Sequence, residues 1–185
     1  MSRPTRSTAG GRAYLALQVR ARAEGRPTDE LFVLYVLERF LYRLSVSDHR
    51  DRFVLKGGML LAVFDDRRPT ADVDLLARAL ANEVETVTDL VRAVLSVNVD
   101  DGVIFDVAAL RAGVIRDAEL YSGIRIVVPA SIDRARHPLR VDINVGDPVT
   151  PGPVEVDYPI AAQVPTPESK SGAIAKRVLG PALVS

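Results

Sequence analysis

Between Phe53 and Arg78 the chain reads FVLKGGMLLAVFDDRRPTADVDLLAR, and a few residues in it have types and spacing suited to chemistry. Asp72 and Asp74 alternate with Ala71, Val73 and Leu75. Residues two apart in a strand point to the same face, so both carboxylates project together while Val73 turns into the core. Two like charges on one face of an apolar strand repel unless something neutralises them. A divalent cation does this well, and Mg²⁺ favours carboxylate oxygens together with substrate phosphates. Gly57 and Gly58 sit where a helix begins, and backbone N–H groups there can meet a phosphate. A ligand-free turn is the plainer alternative for the two glycines. Lys56 and Arg68 either bind phosphate or lay their stems along the core edge. Thr70 is expected to hydrogen-bond within its own loop.

These residues need a frame. A short strand over 53–55, the Gly-Gly turn, a helix over 59–64 and a charged loop over 65–69 lead into the strand with the aspartates. Upstream, Tyr14, Leu15, Leu17 and Val19 among arginines predict a helix over 11–24, stopped by Gly25, after a frayed stretch over 1–10. Arg26-Pro27 breaks the chain. Thr28 is expected to cap a second helix, with Leu31, Leu34, Tyr35, Leu37, Leu41 and Leu44 as its apolar stripe. Both helices read as packing and support.

Downstream, Asn82 is a candidate cap for a helix to about 96, and Asp100-Asp101-Gly102 is a turn signal. From Val103 the period changes to two. Strands are expected over 103–105, 124–128 and 139–145, with an edge strand over 154–160. Asp147 before Pro148 shapes a turn, and His137 before Pro138 reads as surface. Pro165-Thr166-Pro167-Glu168 starts a last helix, expected over 169–179.

The 185 residues suit one domain with a small appendage, divided here as a helical segment 1–50, a core 51–164 and a short C-terminal helix 165–185. Basic and acidic residues balance at 24 each, so net charge makes no case for nucleic acid. The first 26 residues, however, hold Arg3, Arg6, Arg12, Arg20, Arg22 and Arg26 against Glu24 alone, which suits either contact with phosphates or a solvated basic face. Absence of cysteine excludes disulfides and cysteine-based metal sites, and two histidines are too few for a multi-histidine zinc site. No apolar run reaches membrane-spanning length and no secretory leader is read, so a soluble cytoplasmic protein is expected.

Gly-Gly, a spacer and Asp-x-Asp on an apolar strand resemble the nucleotidyltransferase superfamily that includes DNA polymerase β. Lys56, Gly57, Gly58, Leu60 or Leu61, Arg68, Thr70, Asp72, Asp74 and Leu75 resemble one branch more closely. This is the AbiEii-type toxins, among them the MenT-type toxins. The stretch GIRIVVPASIDRARHPLRVDINVGDP is similar to the same branch. The resemblance implies an α/β (α+β) nucleotidyltransferase fold, a mixed sheet flanked by helices. It implies Mg²⁺ held by Asp72, Asp74 and a third carboxylate, Asp142, which would also take a hydroxyl proton. Lys56, Gly57, Gly58 and Arg68 would bind nucleotide. Lys176, or else Lys170, would contact the triphosphate; lysine occurs otherwise only at 56. The Arg-Asp-x-x-Asp signature of the branch is missing before Ser185, as expected of a short variant or of a chain lacking that helical part.

The implied activity is transfer of a nucleotide from an NTP to RNA, at the tRNA 3′ end, blocking aminoacylation, with a cognate antitoxin as partner. The same site is also compatible with a protein or small-molecule hydroxyl as acceptor, or with an inactive nucleotide- or partner-binding remnant. Arginines at 134, 136 and 140 and in the first 26 residues indicate where an acidic acceptor would lie.

Overall fold

A computed structural model describes residues 3–61, 70–78, 80, 83–116, 122–145, 153–158 and 176–181. Helix α1 (Ala9–Glu24) starts where Thr8 accepts a hydrogen bond from the Gly11 N–H. It ends at Gly25, whose φ of 63° is the left-handed conformation that glycine adopts without a Cβ penalty. The helix begins inside the stretch expected to fray, and Pro4 ahead of it is buried. In α2 (Thr28–Val46) the cap position is Pro27, not Thr28, and no side chain caps it. The expected stripe is buried at Leu31, Tyr35, Leu37, Leu41 and Leu44, with Leu34 half-buried.

A 3₁₀ turn (Arg50–Arg52) leads to β1 (Phe53–Lys56), α3 (Gly57–Leu61) and β2 (Val73–Ala77). Helix α4 (Val84–Leu95) buries Val87, Val91, Val94 and Leu95, with Val84 and Leu90 packed against the core. Asn82, its expected cap, lies outside the described residues. Strands β3 (Val103–Phe105), β4 (Arg111–Arg116), β5 (Ser122–Val128), β6 (Ala130–Ile132), β7 (Ala135–Arg136), β8 (Leu139–Val145), β9 (Pro153–Tyr158) and β10 (Lys176–Pro181) follow.

The main sheet has the order β1-β2-β8-β5-β4. Strands β2 and β8 run parallel and the other pairs antiparallel, so this is a mixed sheet, and helices flank it. One face is continuous and apolar: Leu55, Val73, Leu75, Val141, Ile143, Ile124 and Ile126 are all at most 2% exposed. They join residues of α1, α2 and α4 in one core. The β3-β6-β7 sheet and the β9–β10 ribbon are separate from the main sheet.

The ribbon corrects the expected last helix. Lys176–Pro181 is a strand, antiparallel to β9, with Val178 opposite Val156 and Leu179 opposite Glu155. Strand β9 offers a backbone edge, and Val178, Gly180 and Pro181 are poor helix formers, so ladder hydrogen bonds win over helix propensity. His137 also differs from its surface reading. It is half-buried, its ring lies 5.5 Å from that of Phe32, and burial lowers its pKa.

Candidate active site

The second face of the sheet carries a row of charge. Lys56 pairs with Asp74, Asp74 with Asp142, and Asp142 with Arg125, across β1, β2, β8 and β5. Directly paired residues share a face, so the row reads plus, minus, minus, plus. The parallel pairing of β2 with β8 brings Asp142 beside Asp74, far though they are in the chain. Asp72, expected on the strand with Asp74, instead lies in a bend just before β2, and it stays in the cluster because its charge acts on Asp74. Thr70 fixes that turn as expected: its hydroxyl donates to the Asp72 carbonyl at 3.2 Å and to Asp72 Oδ1 at 3.1 Å.

Asp74 has a raised pKa. Burial is the largest cause, followed by the charges of Asp72 and Asp142. Lys56 and a hydrogen bond from the Gly58 N–H act in the opposite direction. That hydrogen bond changes the part expected of the glycines, since the Gly58 N–H already serves a carboxylate. Gly57 has a φ of 62°, and a Cβ on it would collide with Asp74 Oδ2. Only glycine meets both conditions, so the Gly-Gly turn seats Asp74 closely against the backbone.

Asp142 is 15% exposed and is held by Arg125 in a two-pronged ion pair, Nε to Oδ1 at 2.8 Å and Nη2 to Oδ2 at 2.5 Å. Arg125 is not among the residues expected at the site. A signal for it is nonetheless present: Arg125 lies between Ile124 and Ile126 as Asp142 lies between Val141 and Ile143. A lone charge inside each of two apolar strands points to a cross-strand pair.

Among the described residues, no three Asp, Glu or His side chains are gathered closely enough to form a ready-made cation site. The donor set still suits a hard divalent cation. It consists of carboxylate oxygens, and Asp74 is disfavoured in its charged form by its acidic neighbours, a penalty that a cation removes. Asp72 and Asp74 would hold it, with Asp142 joining when released by Arg125. Lys176 enters β10 opposite Tyr158. Arg68, Lys170 and Asp147 lie outside the described residues.

A second charged cluster lies in the interior. Asp101, expected only in a turn, is 1% exposed and binds Arg43 of α2 at 2.6 Å and 3.2 Å. The Tyr35 hydroxyl donates to its carbonyl at 2.7 Å. This cluster ties α2 to the start of β3, so α2 is more than an apolar support.

The mixed sheet thus presents carboxylates from two parallel neighbours, β2 and β8, on one face. The chain belongs to the AbiEii family, described as nucleotidyl transferase AbiEii toxins of type IV toxin–antitoxin systems, whose model matches residues 39–178. Among solved structures, it is similar to a proposed nucleotidyltransferase from H. pylori at 14% identity and a TM-score of 0.41, covering 83% of this chain and 54% of that one. It is also similar to JHP933 from Helicobacter pylori, at 14% identity and a TM-score of 0.40, covering 79% and 51%. The chain thus spans about half the length of these two structures. No curated protein matches it. Among the described residues, no helix is long and apolar enough to cross a membrane.

Proposed function

We propose that the chain transfers a nucleoside monophosphate from an NTP to RNA, at the 3′ end of tRNA, as a toxin held in check by a cognate antitoxin. The observation that carries this reading is the in-register pair Asp74–Asp142 beside Asp72. Family membership supplies the reaction class and the toxin–antitoxin setting. The resemblance to MenT-type toxins supplies tRNA as acceptor.

In this reading Mg²⁺ supplies the positive charge that offsets the phosphates and the carboxylates. Asp72 and Asp74 hold it, Thr70 orients Asp72, and the Gly57-Gly58 turn orients Asp74. The acceptor hydroxyl oxygen forms a bond to the α-phosphorus, and the bond from that phosphorus to the bridging oxygen breaks. Pyrophosphate leaves with the bonding electrons. Asp142 takes the hydroxyl proton once Arg125 has turned away. Lys56, next to Asp74, or Lys176 or Lys170 meets the triphosphate.

The test is incubation of the protein with each labelled NTP, Mg²⁺ and total tRNA, beside Asp72→Ala and Lys176→Ala. Label on the tRNA 3′ end with wild type and not with Asp72→Ala supports the reading. Label on protein moves the acceptor to a protein hydroxyl. NTP binding by calorimetry with no labelled product favours an inactive remnant, which the Arg125–Asp142 pair would explain. Loss with Lys176→Ala assigns the lysine.

A further inference from the structure

The row that holds Asp142 does not end at Arg125. Strand β4 is the edge of the sheet, and residues 111–114 are all exposed. Arg111 pairs with Val127, and Val127 with Arg140. Arg140 is two residues from Asp142, and Val127 two from Arg125, so Arg111, Arg125 and Arg140 lie on the same face as the carboxylates. All three arginines are exposed. Arg111 and Arg140 flank Val127 from either side, which sets their strands about 10 Å apart by ordinary strand spacing. Beside Arg125, Gly113 leaves the face open, for a Cβ there would meet nothing within 4 Å. Asp142 shares β8 with Arg140, and Asp74 lies on β2, one strand further from the β4 edge.

We infer that this open face of β8, β5 and β4 is the docking surface for the acceptor RNA, with Arg111 and Arg140 binding backbone phosphates. The inference rests on the proposed transfer to RNA and adds where the RNA lies. The nucleic-acid strand crosses the β4 edge over Gly113 and Val127, and its end reaches the carboxylates one to three strands further on. Charge complementarity argues for a polyanion, and the exposed guanidinium groups match phosphate geometry. The few aromatic residues of the chain leave little for base stacking, so contact to phosphates is the mode the face allows.

The experiment measures binding of total tRNA to the full chain without NTP, between about 50 and 200 mM salt. Each phosphate contact contributes a factor of about 8 to affinity at about 0.1 M salt, from a slope of roughly −0.9 per contact. Arg111→Ala and Arg140→Ala should each weaken binding roughly five- to tenfold and make the salt slope shallower by about one unit. Arg92→Ala, an exposed position on α4, should change neither. Gly113→Glu places an acid on the face in open space and should weaken binding as much as Arg111→Ala. NTP affinity by calorimetry should stay the same in Arg111→Ala, which shows that the fold is intact. Binding that falls equally in Arg92→Ala, or does not fall in Arg111→Ala and Gly113→Glu, overturns the surface while leaving transfer to RNA standing. Wild type that labels protein and binds no tRNA overturns the RNA reading and the surface with it.

Discussion

Replacing Asp74 by Asn should stabilise the metal-free protein while abolishing its chemistry. Asn keeps the shape and an oxygen to accept the Gly58 hydrogen bond, but removes the charge that Asp72 and Asp142 oppose. At one strand spacing, two carboxylates repel by about 0.9 kcal/mol with water-like screening and by about 3.5 kcal/mol at an effective dielectric of about 20. Asp74 is only half-buried, so the lower end applies, and a gain of about 1 kcal/mol is expected. For a chain of this size that raises Tm by about 2–4 °C. The sign with pH follows from the raised pKa. A carboxyl whose folded pKa lies above its unfolded value contributes most stability below the unfolded pKa and loses it as pH rises through the folded pKa. The Tm gap between Asp74→Asn and wild type should therefore be full at neutral pH and close in acid. Calorimetric scans in a chelator and in Mg²⁺ would read both effects, with Mg²⁺ raising Tm of wild type only. A Tm of Asp74→Asn below wild type in chelator, or an equal Mg²⁺ shift in both proteins, would refute the reasoning.

Arg125→Ala should leave Asp142 without its partner, lower Tm in chelator and enlarge the stabilisation by Mg²⁺, both read in the same scans. Gly57→Ala forces a Cβ onto Asp74 in a left-handed backbone, and should cost about 2 kcal/mol by denaturant titration and abolish label transfer. Arg43→Leu strands a buried Asp101 carboxylate and should cost about 3–5 kcal/mol in the same titration.

Much of this was legible without a structure. Period-two patterns marked β8 at its observed bounds and β3 over the same three residues, because a half-buried strand must alternate. The Gly-Gly start of α3 and Asp74 on β2 were legible because few uses exist for such residues between apolar strands, whereas Asp72 falls in the bend before the strand. Local order misled at 176–179, where helix was expected, since a strand there depends on β9, a partner that no local window contains. Strands β4, β6 and β7 were missed for the same reason.

Chain order determined which residues carry charge and which strands are apolar. It left open which strand lies beside which, and hence that Lys56, Asp74, Asp142 and Arg125 form one row. It also left open that the Gly58 N–H serves Asp74 and that Asp101 is buried against Arg43. Those are matters of strand order and register, decided by the common core that the apolar face of the sheet forms with α1, α2 and α4. A one-residue slip of β8 would turn Asp142 into that core and both Val141 and Ile143 out of it, and the cost of burying the charge and exposing the apolar pair excludes that slip.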